Sequence, residues 1–461
     1  MKPTPTICAP ATAAGVSAIA IVRLSGLEAI AIAAKVFSKK SICKAKGHSV
    51  HFGEIFHNGN VIDEVLLTIF RAPHSYTGEE AVEISCHGSP FIVQKILEAL
   101  IENGAEMAGP GEFTQRAFLN GKLDLSQAEA VADLIASENE AGHKVALSQL
   151  KGGYSNELSQ LREQLIHFAS LIELELDFGE EDVEFASRRD FRTLAEKIID
   201  VCGQLAESFS LGNALKNGVP TVIAGKPNAG KSTLLNALLN EERAIVSNIA
   251  GTTRDTIEET LHIDGIAFKL IDTAGIRSHA EHIEALGIER TLQKIDQAAV
   301  VIYVADMQVE TVQEIQAVLC EIYTQGKHWI VALNKTDAMD MTSMQMALKE
   351  MENFSEMQLI FLPISSLHKQ GIDLLKNELR KTIPQIGGYN GQVVSNVRHY
   401  QALVSAKESL QEVLQGMELH LTGDMLAVDI RKALHSLGEI TGSISTYDLL
   451  TNIFSRFCIG K

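Results

Sequence analysis

The sequence predicts a multidomain chain: a small N-terminal α+β domain, a discontinuous helical domain, and an α/β domain with a parallel-rich sheet inserted into the helical one. Three observations carry this. Short Val- and Ile-rich runs mix with helical spacing over residues 1–118. Strand-like runs nearly vanish over residues 119–215 and again from His399 onward. Between Val219 and residue 382, apolar strands alternate with helical segments, as in a sheet covered by helices on both faces. Helix-rich sequence on both sides of an α/β stretch is most economically one helical domain interrupted by an insertion, which is tolerated where the inserted ends lie close together. The expected domains are 1–118, 119–215 with 383–461, and 216–382.

In chain order, Ser17–Leu24, Val61–Phe70 and Ala81–Cys86 read as strands, and Phe91–Asn103 as a helix ending near Gly104. Ser126-Gln-Ala-Glu129 reads as a capping box opening a helix. Leu147–Leu176 carries a near-continuous apolar stripe at helical spacing. In the insertion, the strand candidates are Val219–Ala224, Ile266–Ile271, Val300–Ala305, Trp329–Leu333 and Leu359–Pro363. Gly387-Gly388-Tyr389-Asn390-Gly391 then breaks the pattern before the last helical stretch.

Bulk composition narrows the class. With 461 residues, 46% of them apolar, and apolar runs such as Ala298–Ala305, nothing approaches the ~20 residues of a spanning helix. The N-terminus has no charged-then-apolar-then-small pattern, so no signal peptide and no membrane association are expected. Cys8, Cys43, Cys86, Cys202, Cys320 and Cys458 are scattered without a C-x-x-C, which fits a reducing cytoplasm rather than a disulfide framework or zinc site. The net charge of −18 argues against a generalist nucleic-acid binder, so an RNA partner must meet a locally positive surface. The acidic group Glu173, Glu175, Asp177, Glu180, Glu181, Asp182 and Glu184 reads as a solvated face.

The chemistry begins at Gly225-Lys226-Pro227-Asn228-Ala229-Gly230-Lys231-Ser232, G-x-x-x-x-G-K-S, between the strand Val219–Ala224 and a helical run Ser232–Leu239. This is a P-loop in its confirming context. The glycines let successive N–H groups face phosphate oxygens, and the helix N-terminus adds partial positive charge. Lys231 is placed for the terminal phosphates and the Ser232 hydroxyl for Mg²⁺.

Further elements follow in order. Asp272-Thr273-Ala274-Gly275 follows a strand, with Asp272 placed to hold Mg²⁺ through water and the Gly275 N–H to sense the γ-phosphate. Asn334-Lys335-Thr336-Asp337 supplies a carboxylate that can accept both the N1–H and the 2-amino group of guanine, a donor pair adenine lacks. Ser365-Ser366-Leu367 offers backbone N–H groups to the guanine O6. Gly251-Thr252-Thr253-Arg254-Asp255 reads as a switch segment, with Thr253 on Mg²⁺ and the γ-phosphate. Together these define a Ras-like GTP-binding domain. The residue after the D-x-x-G element is Ile276, not the glutamine that orients water in Ras-type enzymes. Glu284 is a candidate for that work; the other reading is a solvated carboxylate beside His282. Asn228 supplies an amide oxygen that can help hold a monovalent cation across the phosphates, neutralising charge as an arginine finger does.

Over its whole length the chain resembles the MnmE (TrmE) family of bacterial tRNA-modification GTPases. The resemblance rests on the P-loop with Asn228, the Gly251–Asp255 switch and Asp272-Thr-Ala-Gly-Ile-Arg277. Outside the G domain it rests on Arg23-Leu-Ser-Gly26, Tyr76-Thr-Gly-Glu79, Pro110-Gly-Glu-Phe-Thr-Gln-Arg-Ala-Phe-Leu-Asn120, Gly121-Lys-Leu-Asp-Leu-Ser-Gln-Ala-Glu-Ala130 and the terminal Phe457-Cys-Ile-Gly-Lys461. The G-domain motifs alone do not separate this family from ribosome-assembly GTPases; the N-terminal blocks and the terminus do.

The resemblance implies an N-terminal tetrahydrofolate-binding dimerisation domain, a discontinuous helical domain and an inserted G domain. It implies a K⁺-dependent GTPase, active when G domains of a homodimer meet. Its FAD-containing partner is MnmG, and together they install an aminomethyl-type (carboxymethylaminomethyl) group at C5 of the wobble uridine of certain tRNAs. The implied GTP contacts are Asn228, Ala229, Gly230, Lys231, Ser232 and Thr233; Ser247, Asn248, Ile249, Ala250, Gly251, Thr252 and Thr253; Asp272, Thr273, Ala274 and Gly275; and Asn334, Lys335, Asp337, Ser365 and Ser366. K⁺ falls to Asn228, Ser247, Ile249 and Thr252, Mg²⁺ to Ser232 and Thr253, and water orientation to Glu284. For 5-formyltetrahydrofolate the matching positions are Arg23, Glu83, Lys122 and Lys461. Read alone, Arg23 and Lys122 equally fit surface charges, and a ligand contact at a chain end requires the last helix to dock on the N-terminal domain. Cys458 reads either as a small buried thiol or as a nucleophile. The rival readings are a ribosome-assembly GTPase, against which the acidic balance counts, and a regulatory switch, which leaves the first 120 residues without a purpose.

Overall fold

The structure, a computed structural model, describes residues 4–177, 187–240, 259–271, 292–351, 354, 357–382, 392–455 and 457–460. It divides into two compact units, Met1–Ile135 with Gln149–Cys202 and Gln401–Lys461, and Ala136–Ser148 with Gly203–Tyr400.

The first unit opens with a six-stranded sheet: β1 Ile7–Pro10, β2 Ser17–Ser25, β3 Ser49–His57, β4 Asn60–Phe70, β5 Ala81–Gly88 and β6 Glu106–Met107, in the order β3-β4-β5-β2-β1-β6. All pairs are antiparallel except β1 with β6. Period-two alternation sets which face is buried. Val65, Leu67 and Ile69 of β4 join Val82 and Ile84 of β5 in a core closed by the helices Ala29–Val36 and Pro90–Glu102. On the opposite face the register places Arg23 of β2 directly against Glu83 of β5. β1, β3 and β6 add to the three strands expected from the sequence. β3 turns into β4 through Asn58 and Gly59, at φ 51° and 79°, and two central residues at positive φ form the turn whose twist suits a hairpin.

The helical part of this unit packs Gly153–Asp177 against Gly423–Thr441. Leu158, Leu161, Leu165 and Ile172 recur on one face of the first; Leu426, Ile430, Leu437 and Ile440 do so on the second. The stripe Leu147–Leu176 is helical apart from a break between Leu150 and Gly153, where Gly152 takes φ 98°. One expectation is corrected. The capping box is Asp124 with Gln127, not Ser126 with Glu129. Asp124 Oδ1 accepts the Gln127 N–H at 2.7 Å and Gln127 Oε1 accepts the Asp124 N–H at 2.9 Å. Asp124 is therefore the N-cap and the helix starts at Leu125, one residue before Ser126; Asp124 is anchored further by the Ser155 hydroxyl at 2.6 Å.

A buried ionic group ties the short helix Glu112–Leu119 to the segment before β5. Arg116, 4% exposed, donates to Glu112 at 2.7 Å and to Glu79 at 3.3 Å. Ser25 Oγ donates to Glu79 at 2.6 Å, and Glu112 accepts the Gly109 N–H at 2.8 Å. Arg116→Met is expected to cost about 2–3 kcal/mol, less than the ~3–5 kcal/mol of a fully buried pair because both carboxylates keep some solvent contact. Thermal unfolding of the variant checks this.

The second unit holds a six-stranded sheet: β7 Val219–Ala224, β8 Glu259–Ile263, β9 Ile266–Leu270, β10 Val300–Asp306, β11 His328–Asn334 and β12 Leu359–Pro363, ordered β12-β11-β10-β7-β9-β8. It is parallel except where β8 runs against β9 through the Asp264–Gly265 turn. β10 is buried along its entire length, as a strand covered on both faces must be. One face packs on Lys231–Asn240 and Ile372–Lys381, the other on Val312–Ile322 and Met341–Met351. Ala141, Val145, Leu211 and Leu215 share the first of these cores, and the Ala141 N–H donates to the Gly265 carbonyl at 3.2 Å. The five strands expected in the insertion are all present; β8 is additional. Among the described residues, no helix is long and apolar enough to cross a membrane.

Candidate functional site

The loops that carry the nucleotide motifs leave the C-terminal ends of β7, β11 and β12, the edge where open α/β sheets bind ligands. After β7 the chain bends through Gly225 at φ 145°, Asn228 at φ 61° and Gly230 at φ 99°. A Cβ on Gly225 would lie 2.3 Å from the Val304 carbonyl oxygen, and one on Gly230 would lie 2.1 Å from Asn334 Nδ2. Only glycine fits at either place. The helix then starts at Lys231, with Ser232 and Thr233 exposed in its first turn. Lys231 Nζ donates to the carbonyls of Gly225 at 2.8 Å and Lys226 at 2.7 Å. The ammonium is thus held inside the curl of the loop. Burial pulls its pKa below the usual lysine value, opposed by the negative charge of Glu310.

Asn334 links the loop to the base-reading segments. Its Nδ2 donates to the Ala229 carbonyl at 2.8 Å, and its Oδ1 accepts the Ser366 N–H at 3.0 Å. Ser365 Oγ donates to Asp337 Oδ1 at 2.6 Å. That hydrogen bond is the main reason the Asp337 carboxyl lies below its usual range, so it is a fixed acceptor at neutral pH. Lys335, at φ 62°, reaches Asp306 Oδ2 at 2.6 Å. The N–H groups of Ser365 and Ser366 already have internal partners, the Gln370 carbonyl and Asn334. Both serines therefore shape the turn, and Ser365 also holds Asp337.

Ser247, Asn248, Ile249, Ala250, Gly251, Thr252, Thr253, Asp272, Thr273, Ala274, Gly275, Ile276, Glu284 and Lys461 lie outside the described residues.

The N-terminal sheet assembles a second group. Arg23 pairs with Glu83 at 2.9 Å and its Nη1 donates to the Gly460 carbonyl at 3.4 Å. Its guanidinium carbon lies 5.6 Å from the ring centre of Tyr76 and 5.7 Å from that of Phe113. The Tyr76 hydroxyl bonds Thr114 at 2.9 Å, and burial pushes the phenol above its usual range. The chain end docks here: Ile459 bridges to Pro110, and the Gly111 N–H donates to the Cys458 carbonyl at 3.4 Å. Lys122 is exposed and donates to the Pro73 carbonyl at 3.1 Å. Tyr76 and Phe113 were not singled out as site residues in the sequence, although both lie inside its quoted motifs. Cys458 is exposed, which corrects the buried-thiol reading: its neighbours Phe457 and Gly460 take the buried positions of the tail.

Gly460 locks this docking. A Cβ there would lie 1.9 Å from the Pro10 carbonyl oxygen, and its φ of 94° disfavours any side chain. Gly460→Ala is expected to release the tail, read as faster hydrogen exchange at Gly111 and loss of the Arg23 contact.

A glycine-bounded phosphate loop, a lysine inside its curl and a fixed carboxylate beyond an asparagine bridge define a P-loop guanine-nucleotide-binding protein. Comparison with known proteins narrows the class. Two family models match, "MnmE helical domain" over residues 125–458 and "GTP-binding protein TrmE N-terminus" over residues 6–122. The tRNA modification GTPase MnmE of Cytophaga hutchinsonii is 51% identical over 459 residues, covering 99% of this chain and 98% of the relative. That of Flavobacterium johnsoniae is 50% identical over 466 residues, covering 99% of each. The chain belongs to the MnmE (TrmE) family of tRNA modification GTPases.

Proposed function

We propose that the chain is a K⁺-dependent, homodimeric, cytoplasmic GTPase. With an FAD-containing MnmG partner it adds an aminomethyl-type (carboxymethylaminomethyl) group at C5 of the wobble uridine of certain tRNAs. The observation that carries the reading is the coupled P-loop and base-reading site, in a chain about half identical from end to end to tRNA modification GTPases. In this reading the amides following Gly225 cradle the phosphates and Lys231 leaves the loop carbonyls for phosphate oxygens. Asp337 takes the guanine N1–H and 2-amino group, and the Leu367 N–H, beside the two committed ones, faces O6. Ser232 with Thr253 would hold Mg²⁺. Asn228, Ser247, Ile249 and Thr252 would hold K⁺, a cation that supplies the positive charge an arginine finger otherwise brings. Glu284 would orient the attacking water.

The Arg23 group supports the folate assignment by its chemistry. A guanidinium, a carboxylate and an aromatic face suit a flat heterocycle bearing amide and amino groups. Arg23, Glu83 and the docked tail before Lys461 would bind 5-formyltetrahydrofolate, with Lys122 across the 73–78 segment.

The purified protein is expected to hydrolyse GTP and not ATP, faster in K⁺ than in Na⁺ at equal ionic strength. Comparable ATP hydrolysis would remove the guanine reading, and equal rates in the two salts would remove the cation. 5-Formyltetrahydrofolate should bind, and Arg23→Ala should weaken it; unchanged affinity takes Arg23 out of the site.

A further inference from the structure

The end of β10 and the turn after it carry two buried carboxylates that the nucleotide reading leaves unused. Asp306 and Glu310 are each 6% exposed. Glu310 folds back so that Oε1 accepts the Asp306 N–H at 2.8 Å, while Oε2 lies 3.3 Å from Lys226 Nζ. This second oxygen is buried without an aligned hydrogen bond; Lys226 meets it as a charge, the Tyr303 phenol lies beside the same carboxylate, and the Glu310 charge also acts on Lys231. Asp306 Oδ1 accepts the Gln308 N–H at 3.0 Å, and Oδ2 holds Lys335 at 2.6 Å.

The two lysines belong to different nucleotide loops. Lys226 is the second residue of the P-loop, and its carbonyl is one of the two oxygens that hold Lys231. Lys335 belongs to the segment that presents Asp337. One short stretch of chain therefore grips the phosphate end of the site through Glu310 and the base end through Asp306. A carboxylate buried to this degree is costly unless a cation answers it, and Lys226 is the cation in contact with Glu310.

We propose that Glu310 is a positioning residue for GTP binding: it anchors Lys226, and through the Lys226 carbonyl it fixes the P-loop in the shape that presents Lys231 to the phosphates. The inference rests on the guanine-nucleotide reading above. Glu310→Gln keeps the size of the side chain and an oxygen for the Asp306 N–H, and removes only the charge.

The test uses the full-length protein with Glu310→Gln, Lys226→Met and the double variant. The dissociation constants of GDP and of IDP, which lacks the 2-amino group, are measured for each. Each single change should weaken GDP about tenfold, as loss of a close charge pair does, and weaken IDP by the same factor, because Asp337 is untouched. The double variant should lose no more than the worse single one, since the contact that Lys226→Met removes is already gone in Glu310→Gln. Lys226 is exposed, so Lys226→Met keeps the test open if the buried Glu310 change disturbs folding. Unchanged GDP binding in the single variants, multiplicative losses in the double one, or a changed GDP-to-IDP ratio would overturn the proposal. A wild-type protein that binds no GDP overturns the reading beneath it instead.

Discussion

Lys231→Ala is expected to lower GTP hydrolysis about 10²–10³-fold, the scale of losing one preorganised charged donor in an active site. In the described structure the ammonium is held by two loop carbonyls, at 2.8 and 2.7 Å. Those contacts are local to the loop, so the fold should survive and the loss should be confined to the site. The neutral variant removes the charge proposed to meet the terminal phosphates and the contacts that close the loop. Both kcat and kcat/KM should therefore fall, with the melting temperature of the nucleotide-free protein within a few degrees of wild type. Steady-state kinetics with thermal unfolding on the same samples check it. A large stability loss with normal kinetics would place Lys231 outside the site.

The second large effect is expected at Asp337. Its carboxylate is held by the Ser365 hydroxyl at 2.6 Å and lies below its usual pKa range. It is therefore an anion at any pH near neutrality, with lone pairs for two base donors. Each hydrogen bond to a charged group contributes about 1.5–3 kcal/mol. Asp337→Asn should weaken GTP about 10²–10³-fold. The amide it introduces donates where the carboxylate accepted, so xanthosine triphosphate, with an oxygen at position 2, should gain affinity. Competition between the two nucleotides measures the switch. Equal loss for both would mean that Asp337 does not read the base.

The parallel sheet was legible because its strands are buried on both faces and so read as unbroken apolar runs. Val300–Ala305 was expected, and β10 is Val300–Asp306. β3 and β8 were missed for the opposite reason. β3 has residues on both sides open to solvent, which blurs its alternation, and β8 is a short strand at the sheet edge. The available signals were the Asn58-Gly59 and Asp264-Gly265 turns, both at positive φ. The helix start at Leu125 was ambiguous because two overlapping boxes, Asp124 to Gln127 and Ser126 to Glu129, satisfy the same pattern. The bonds exchanged by Asp124 and Gln127, with the distant Ser155 holding Asp124, decide it.

At the site, local motifs gave the P-loop and Asp337, because their chemistry is contiguous in sequence. Asn334 as the bridge between Ala229 and Ser366 was not legible, nor was Glu310 beneath Lys226. Both depend on loops from different strands arriving at one sheet edge. The pairing of Arg23 with Glu83 is a matter of strand register, and its contact with Gly460 spans nearly the whole chain.

We propose above that GTP turnover at this site serves modification of the tRNA wobble uridine. The most direct measurement is mass spectrometry of tRNA nucleosides from a strain lacking the gene, complemented with the wild-type chain or with Lys231→Ala. The C5-modified wobble uridines are expected to vanish on deletion, return with the wild-type chain and stay absent with Lys231→Ala. Modified uridines that persist in the deletion strain would contradict the proposal.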